Sequence, residues 1–441
     1  MNQKSQLTEL YRSSFDDFER NLNGEADAEF HRERRKAIEL FGRIGFPTTK
    51  HEEWRFTNIA PIAEILFKPV TGKIRMPEGA EVERFCFPTH HQLVFIDGRF
   101  AKNLSSMENL PKGVRVGSLA DAVRSGDAET RKSLAKYATD EENAFIALNT
   151  AFALDGAFIV LPEHTAMQES IHVVYVSTGA EHSLLTPRNL VIVGAQSQLS
   201  FVESYVSLKD ARYLTCAVTE LVVGDGAIVE HDKLQNESVQ AYHVSVIQAH
   251  QGRQSTVTSN AVTVGGSIVR NNVTAVLDGE GAECTLNGLS LGSGSQLIDN
   301  HTAIDHVKPH CESHELYKSI LDGKAHGVFN GKIFVRKDAQ KTNAKQTNKT
   351  LLLSDDAYID TKPQLEIFAD DVKCTHGATV GQLDSDQIFY LRSRGIGEDS
   401  AKDMLTLAFA ADLVEKIHVD PLKELLGPLV HAKLEGGRPR S

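Results

Sequence analysis

From Ala157 to about Val380, short apolar runs alternate with polar residues at a period of two. This alternation predicts β-strands, because successive side chains of a strand point to opposite faces. The runs end at Gly, Asp, Asn or Ser, and no helical stretch of ten residues comes between them. The pattern therefore excludes βαβ folds and indicates a mainly β core.

The alternation alone leaves a parallel β-helix and a β-sandwich open. A propeller would repeat one motif from blade to blade, and the chain has no such repeat. Most runs end at a single glycine rather than at Asn-Gly, which favours a β-helix with roughly 20–25 residues per coil. Four asparagines are then expected to cap or stack at the corners of the coils: Asn271, Asn272, Asn287 and Asn300.

The N-terminal region, residues 1–155, has a mixed pattern. Apolar residues recur three and four positions apart in residues 5–22 and 25–44, which predicts two helices. Further helices are predicted at 127–137 and 142–154. A strand pair at 92–100 would turn at Asp97 and Gly98.

Helical patterns return in the last region, residues 383–441, after a core at 156–382. Asp384 or Ser385 can cap a short helix over 387–392. A longer helix is predicted over 398–417, and its middle is apolar on nearly every side. Such a helix needs cover on two sides, either from a second helix at 421–434 or from a partner protein.

Composition and charge narrow the classes of function. The net charge of −12 and pI near 5.8 argue against a nucleic-acid-binding or anionic-membrane surface. The first residues lack a secretory pattern, and no window approaches a membrane span. Five scattered cysteines without a CxxC motif suggest a reducing compartment, so we expect a cytoplasmic protein.

The common catalytic motifs are absent from the sequence. It contains no GxxxxGK[ST] loop, so we do not expect the chain to hydrolyse ATP by itself. It also lacks a GxGxxG fingerprint at a strand–helix junction, a GxSxG elbow and an HExxH pair. These searches identify no catalytic site of the nucleotide-binding, hydrolase or metalloprotease classes.

Cys374 and His376 are the main candidates for metal chemistry. They are two residues apart in a predicted strand and would share one face, whereas Lys373 and Thr375 would point the other way. A thiol beside an imidazole suits iron, zinc or copper. One such pair is half a metal site, and a buried thiol beside a packed histidine remains the alternative.

A second cluster has a spacing similar to that of zinc ligands. Pro309 interrupts it, and its periodicity is neither that of a helix nor that of a strand, so polar packing at coil corners is the alternative. The cluster comprises His301, His306, His310, Cys311 and His314.

Three stretches resemble the SufBD family of iron–sulfur cluster assembly proteins. The first is GFP at 45–47 with KHEEWRFT at 50–57. The second is HCES at 310–313 with LYK at 316–318 and GVFNGKI at 327–333. The third comprises AQKT at 339–342, DTKPQLEI at 360–367 and FYLRSRGI at 389–396. Within the family, the segment KCTHG at 373–377 is similar to the SufD type rather than to the SufB type.

The resemblance implies a right-handed parallel β-helix and a non-catalytic scaffold for iron–sulfur cluster assembly. It implies pairing with a SufB-like subunit, a transient cluster at that interface with His376 as a contributor, and no cofactor on the isolated chain. Cys374 is the second candidate ligand because it shares a strand face with His376. It also implies that a SufC-like ABC ATPase docks on the C-terminal helices. The expected contacts there are Met404, Leu405, Leu407 and Phe409. The isolated chain could form a homodimer.

Two other functions stay open. A polysaccharide-active β-helix enzyme would need carboxylates in a groove, and the pairs Asp355–Asp356 and Asp370–Asp371 supply carboxylates. Adjacent residues of a strand point to opposite faces, however, and such enzymes are normally secreted. The other possibility is a purely structural stabiliser of an assembly complex.

Overall fold

The structure is a computed structural model that describes residues 3–22, 29–72, 74, 76–139 and 143–436. Two β-sheets form the two walls of one solenoid, and helices lie at both ends of the described chain. The helices are α1 (Gln3–Arg20), α2 (Glu29–Ile44), α3 (Ala60–Ala63), α4 (Gly79–Glu83), α5 (Leu119–Ser125), α6 (Ala128–Ser133), α7 (Ala144–Phe152), α8 (Ser385–Ser393), α9 (Glu398–Val414) and α10 (Asp420–Gly436).

Strands β1 to β9 are mostly short, and those that follow have eight to ten residues. The first group is β1 (Lys68–Pro69), β2 (His91–Ile96), β3 (Arg99–Phe100), β4 (Ser106–Met107), β5 (Arg115–Ser118), β6 (Ala157–Leu161), β7 (Ile171–Ser177), β8 (Ser183–Leu185) and β9 (Arg188–Val193). The second group is β10 (Gln198–Ser207), β11 (Leu214–Val223), β12 (Ile228–Asn236), β13 (Tyr242–Gln251), β14 (Thr256–Thr263), β15 (Ile268–Leu277), β16 (Glu283–Gly292), β17 (Leu297–His306), β18 (Glu312–Leu321), β19 (His326–Val335), β20 (Asn343–Leu352), β21 (Tyr358–Ile367) and β22 (Lys373–Gly381).

From β9 onward, successive strands alternate between the two sheets, so each of these coils contributes one strand to each wall. Sheet 1 has the order β21-β19-β17-β15-β13-β11-β9-β6-β5, with β8 beside β11 and β1 beside β8. Sheet 2 has the order β22-β20-β18-β16-β14-β12-β10-β7-β2-β3, with β4 beside β2. The pairs are parallel except at β2–β3, β2–β4 and β5–β6. The predicted parallel β-helix is confirmed, and its handedness stays a prediction.

Each coil is longer than the sequence pattern indicates. Asn260 and Asn287 stack in neighbouring coils 27 residues apart, and Glu315 and Gln346 stack 31 residues apart. The expected 20–25 residues per coil is therefore wrong. The period of two reveals strands and turns, but it does not show that two strands of up to ten residues make up one coil.

The asparagines stack, but not at the corners. Asn271 donates to Asn300 at 3.0 Å, and Asn287 donates to Asn260 at 2.9 Å, with all four inside strands and buried. Each asparagine lies in register with its partner on the neighbouring strand of the same sheet. Asn271 and Asn300 point into the interior, whereas Asn260 and Asn287 lie on the outer face of sheet 2, beside Leu413 of α9. Asn272 is only partly buried and donates to the carbonyl of Ser245.

Helices cover the outer faces of both sheets. Helices α1, α2 and α7 pack against outward residues of sheet 1 such as Leu214, Val244 and Ile268. Helices α9 and α10 pack against outward residues of sheet 2 from β10 to β20, and the helical side includes Leu413 and Leu422. Strands covered in this way are buried on both faces, by the interior on one side and by the helices on the other.

Most helices match the sequence prediction. Helices α1 and α2 are confirmed, although residues 25–28 of the second prediction lie outside the described residues. Asn143 caps α7, and Glu142 lies outside the described residues. Helix α6 is shorter than predicted, because Leu134 is extended and Ala135 has a φ of 59°. The hairpin turn at Asp97 and Gly98 is confirmed by φ values of 46° and 78°.

The C-terminal predictions also hold. Asp384 caps α8 by accepting from the backbone N–H of Asp386 at 2.8 Å. The long apolar helix is α9, and it is covered by sheet 2 and by α10 rather than left bare on two sides. The two aspartate pairs, in contrast, lie in turns and bends between strands, not within strands as predicted.

The motif at 50–57 attaches the N-terminal region to sheet 1. The Arg270 guanidinium lies 3.8 Å from the centre of the Trp54 ring, and that ring stacks on Phe145. Arg270 also bonds Asp299 at 2.9 Å, and the Thr57 hydroxyl donates to the same carboxylate. Burial would raise the pKa of Asp299, but the surrounding cationic groups and hydrogen bonds hold it at about 2. The motif thus serves packing.

Candidate functional site

The two ends of the solenoid differ. At the first coil, four partly buried apolar side chains pack against the interior: Phe100, Met107, Leu110 and Val116. At the last coil, residues 358–381, which we call the open coil, β21 and β22 pair only with β19 and β20 among the described strands. Four large apolar side chains are exposed there: Tyr358, Ile367, Phe368 and Val380. Within the described residues, the solenoid therefore ends in an uncovered cross-section of its own interior.

Cys374 and His376 lie on this open coil. Cys374 is in register with Ala344, and His376 is in register with Gln346. Ala344 and Gln346 are about 1% exposed and point into the interior, so Cys374 and His376 point the same way. The prediction that the two share a face is confirmed, and the structure shows that this is the inward face.

The two side chains differ in burial. Cys374 is half-buried against the cluster that contains Ile333 and Ala344. Burial raises the pKa of the Cys374 thiol, so the group is protonated near neutral pH until a metal or a cationic neighbour lowers that pKa. His376 is exposed. The imidazole is thus the more accessible of the two ligands.

The free edge of β22 is poorly protected. Natural edge strands usually carry proline or charge, which discourages pairing with another chain. The edge strand β21 contains Lys362 and Pro363, whereas β22 is uncharged from Cys374 to Gly381. A parallel strand of nine residues with one unpaired side is a ready surface for strand addition.

The second metal candidate does not assemble. His306 is buried and bonds Ser313 at 3.0 Å, whereas His314 on the outer face is exposed. His301 lies on the outer face of sheet 1, 3.0 Å from Asp299, and His310 occupies a turn with a φ of 60°. Within the described residues, no three His, Cys, Asp or Glu side chains form a metal-binding group. The alternation of strand faces separates residues that are close in sequence.

The predicted contacts on α9 do not share one environment. Met404 is 50% exposed, whereas Leu405, Leu407 and Phe409 are partly buried. Leu407 and Phe409 pack against the apolar cluster on the outer face of sheet 2. Lys318 bonds the Phe409 carbonyl at 2.7 Å and lies 4.6 Å from its ring centre. Leu407 and Phe409 therefore contribute mainly to packing, and Met404 is the accessible member.

Two further aromatic residues on α8 were missed. Phe389 is 73% exposed and Tyr390 is 57% exposed, and no residue of α8 is buried. Their only sequence signal was the FYLRSRGI segment, which reads as an ordinary helix. We use the name helix patch for these three exposed residues of the adjoining helices α8 and α9: Phe389, Tyr390 and Met404.

A group of titratable side chains fills the interior at the earlier coils. Lys233 donates to Ser245, Asn271 and His243 at 2.6, 2.8 and 2.9 Å. We call the group the sealed network: Glu203, Tyr205, Thr219, Lys233, Glu237, His243, Ser245 and Asn271. All are buried. Because each of the three N–H donors of Lys233 has an acceptor, we assign the sealed network a structural role.

None of the helices in the described ranges is long and apolar enough to cross a bilayer. Two family models match the sequence. One is described as the SufBD core domain of the SUF system of FeS cluster assembly and matches residues 175–409. The other is the SufBD protein N-terminal region and matches residues 1–173.

The chain belongs to the SufBD family. It is 34% identical over 422 residues to an iron–sulfur cluster assembly SufBD family protein of Synechocystis, covering 92% of this chain and 91% of that protein. It is 32% identical over 398 residues to the iron–sulfur cluster assembly protein SufD of Escherichia coli, covering 90% and 91%. It is 30% identical over 380 residues to a chloroplastic protein of Arabidopsis thaliana, covering 84% and 79%. The predicted family is confirmed.

Proposed function

We propose that the chain is a non-catalytic scaffold subunit of iron–sulfur cluster assembly and that its open coil is where it meets a SufB-like subunit. The observation that carries the proposal is the uncovered last coil, which presents an inward-facing imidazole and thiol at an unpaired strand edge. A rigid solenoid holds such side chains with little reorganisation.

The partner supplies what the open coil lacks. Its strands extend one or both sheets across the free edges, and this buries the exposed apolar residues Phe368 and Val380. Cys374 and His376 provide two ligands, whereas an iron–sulfur cluster usually takes four. The remaining ligands come from the partner, and the cluster is a transient cargo of the interface. Without the partner, the same edge can pair with a second copy of this chain.

The ATPase docks on the helix patch. The chain contains no phosphate-binding loop of its own, so nucleotide chemistry belongs to a SufC-like ABC subunit. Exposed aromatic residues such as Phe389 and Tyr390 are typical anchors of protein interfaces. All five cysteines are free thiols, which supports a reducing compartment such as the cytoplasm.

The decisive test is cluster loading of the assembled complex. The chain is co-expressed with its SufB-like and SufC-like partners as wild type, His376→Ala, Cys374→Ala and His314→Ala. His314 is the matched control, because it is also an exposed strand histidine but lies on the outer face of an inner coil. Iron and acid-labile sulfide are measured per complex, and complex formation is checked by size.

His376→Ala should form the complex and lose most of the cluster, Cys374→Ala should lose less, and His314→Ala should match wild type. Full loading of a well-folded His376→Ala complex would instead support the alternative of a purely structural stabiliser. An intact complex with equal loss in His376→Ala and His314→Ala would also contradict the assigned site.

Docking is tested with single charges. Tyr390→Glu and Met404→Glu should each weaken capture of the ATPase without changing the thermal unfolding of the isolated chain. Leu10→Glu, at a comparably exposed apolar position on α1, is the control. Unchanged capture by both patch variants would place the ATPase elsewhere. Point charges are preferable to deletion of 398–441, which would uncover the outer face of sheet 2.

A further inference from the structure

Two buried polar side chains lie directly behind His376. Glu315, Gln346 and His376 occupy the same inward position on three consecutive strands of sheet 2, β18, β20 and β22. The Gln346 Nε2 donates to Glu315 Oε2 at 2.6 Å. Glu315 is 3% exposed and Gln346 is 1% exposed. A carboxylate and an amide are thus aligned in register toward the exposed imidazole.

The other end of the Gln346 amide has no partner. Its Oε1 atom is buried and makes no hydrogen bond within the described part of the chain. An unsatisfied buried acceptor typically costs about 1–3 kcal/mol, so such an atom calls for a donor. The amide is also held in place, because a side chain at Gly331 would come within 2.1 Å of Nε2. Gly331 and Glu315 therefore fix one end of the amide and leave Oε1 available.

His376 is the neighbour that can supply the donor. Adjacent strands lie about 4.8 Å apart, and side chains in register on one face are stacked at that spacing. A neutral imidazole carries one N–H and one unprotonated nitrogen. When one ring nitrogen donates to a fixed acceptor, the other is left as the metal ligand, and the orientation of the ring is set as well.

We propose that Gln346, held by Glu315, is a positioning residue that accepts the N–H of His376 and so determines which ring nitrogen faces the cluster. The role in cluster assembly rests on the proposed function, whereas the hydrogen bond itself does not. Burial raises the pKa of Glu315 to about 7, so above that pH its carboxylate accepts from Gln346 as a full anion.

The hydrogen bond is measured without a cluster. The full chain, labelled with ¹⁵N-histidine, is studied at pH 8, and the His376 signals are assigned by their loss in His376→Ala. Long-range ¹H–¹⁵N correlations give the share of each imidazole tautomer. Exposed His314 in the same sample is the internal reference, because its nearest carboxylate, on Glu312, is itself exposed and lies 3.9 Å away, beyond hydrogen-bond distance. We expect one tautomer to dominate at His376 and a more mixed population at His314.

Three variants separate positioning from packing. Gln346→Met keeps the length of the side chain but removes the acceptor, and Glu315→Leu removes the group that holds the amide. Both should bring the tautomer populations of His376 to those of His314. Glu315→Gln keeps an acceptor for the Gln346 amide and should restore the wild-type populations. Urea unfolding of each variant confirms that the chain is folded.

The same variants are then loaded in the complex. Loss of an outer partner of a metal-binding histidine typically costs on the order of 10- to 100-fold in metal affinity, so Gln346→Met should lower iron and sulfide per complex and Glu315→Gln should not. Wild-type tautomer populations in a folded Gln346→Met chain would overturn the proposal even if His376→Ala loses the cluster. Full loading of His376→Ala would overturn the proposed function, and the tautomer result would then show a hydrogen bond without a role in assembly.

Discussion

Two buried glutamates in the same interior have opposite surroundings. In the sealed network, Glu203 accepts from Tyr205 and Thr219, each at 2.7 Å. Near the open coil, Glu315 accepts from Gln346, and its Oε1 has no partner among the described residues. Burial alone would raise both pKa values. The neighbours of Glu203, with His231 among them, lower its pKa to about 2, whereas the pKa of Glu315 rises to about 7.

The difference separates two uses of a polar interior. A buried group with all of its partners in place stabilises one arrangement of the coils and offers nothing to a ligand. A buried acceptor without a donor lowers the stability of the folded chain. Where such an acceptor lies next to the open coil, a donor from a partner can remove this penalty. Buried acceptors without partners among the described residues also occur in inner coils, as at Gln235 and Gln251. The assignment of Gln346 to the interface therefore depends on its place next to the open coil as well as on its unpartnered oxygen.

The largest expected effect is in the sealed network. Glu203→Ala should lower the free energy of unfolding by about 3–5 kcal/mol, because it removes a buried charge and leaves its donors unpaired. Glu366→Ala on β21 is the matched control, since its partner Lys332 is 2.6 Å away and both side chains are more than one third exposed. It should cost about 1 kcal/mol or less. Urea unfolding measures both, and equal losses would contradict the comparison.

The second effect is a pH dependence with a fixed sign. Because the pKa of Glu315 is about 7 in the folded chain and 4.5 when unfolded, the folded chain holds a proton that the unfolded chain releases between these values. The contribution of Glu315 to stability should therefore fall by an amount on the order of 3 kcal/mol as pH rises from 4.5 to 7, and the stability of Glu315→Gln relative to wild type should rise by that amount. The nearby groups Tyr317 and Cys284 have raised pKa values and titrate above this window.

Glu203 provides the opposite control for that experiment. Its lowered pKa means that its contribution is present above pH 4.5 and is lost as pH falls from 4.5 toward 2. Glu203→Gln should therefore show no change in its stability difference from wild type between pH 4.5 and 7. If the difference in free energy of unfolding between Glu315→Gln and wild type does not change over that range, then Glu315 has enough partners in the folded chain to remain ionised.

An intermediate effect is expected where a helix is tied to the solenoid. Lys318 is nearly buried and bonds the Phe409 carbonyl at 2.7 Å and Asp412 at 2.5 Å. Lys318→Met should lower the free energy of unfolding by about 1.5–3 kcal/mol, the usual range for hydrogen bonds to a charged group. Faster hydrogen exchange in α9 would confirm that the loss is local. Unchanged exchange in α9 would show that apolar packing holds the helix.

The smallest effect is expected on the open coil. Val380 and Val229 both point inward, but Val380 is 48% exposed and Val229 is 1% exposed. Val380→Thr should change the free energy of unfolding by less than about 0.5 kcal/mol, as surface substitutions usually do. Val229→Thr should cost about 1–3 kcal/mol, because it buries a hydroxyl group. Equal losses in the free energy of unfolding for Val380→Thr and Val229→Thr would show that the last coil is covered in solution.

The sequence predicts which side chains share a strand face. It does not predict how many residues separate two strands that pair in neighbouring coils. The shared face of Cys374 and His376 follows from their spacing, because strand geometry fixes it. The coil length does not follow, since the same alternation fits any number of strands per coil. The ladder of Asn271 and Asn300 was expected at corners because asparagine favours turns, but buried stacking across coils overrides that preference.

Exposure was the least predictable property. Phe389 and Tyr390 occupy an ordinary helical pattern, and only the packing of α8 reveals that no part of the solenoid covers them. Glu315 likewise reads as one polar residue in an alternating strand, and its role depends on Gln346, 31 residues further along the chain. Such pairs become visible only when the register of the coils is known.

The path of the chain after the open coil affects how the solenoid comes apart. In a stack of repeats, an end repeat can usually detach alone, because it contacts a single neighbour. Here the chain leaves β22, forms α8, and returns to fasten α9 and α10 across sheet 2 as far back as β10. The last coil is therefore a loop closed at both of its ends rather than a loose terminus. Detaching it requires release of helices that lie over inner coils, so a protein that pulls on these helices acts on several coils at once.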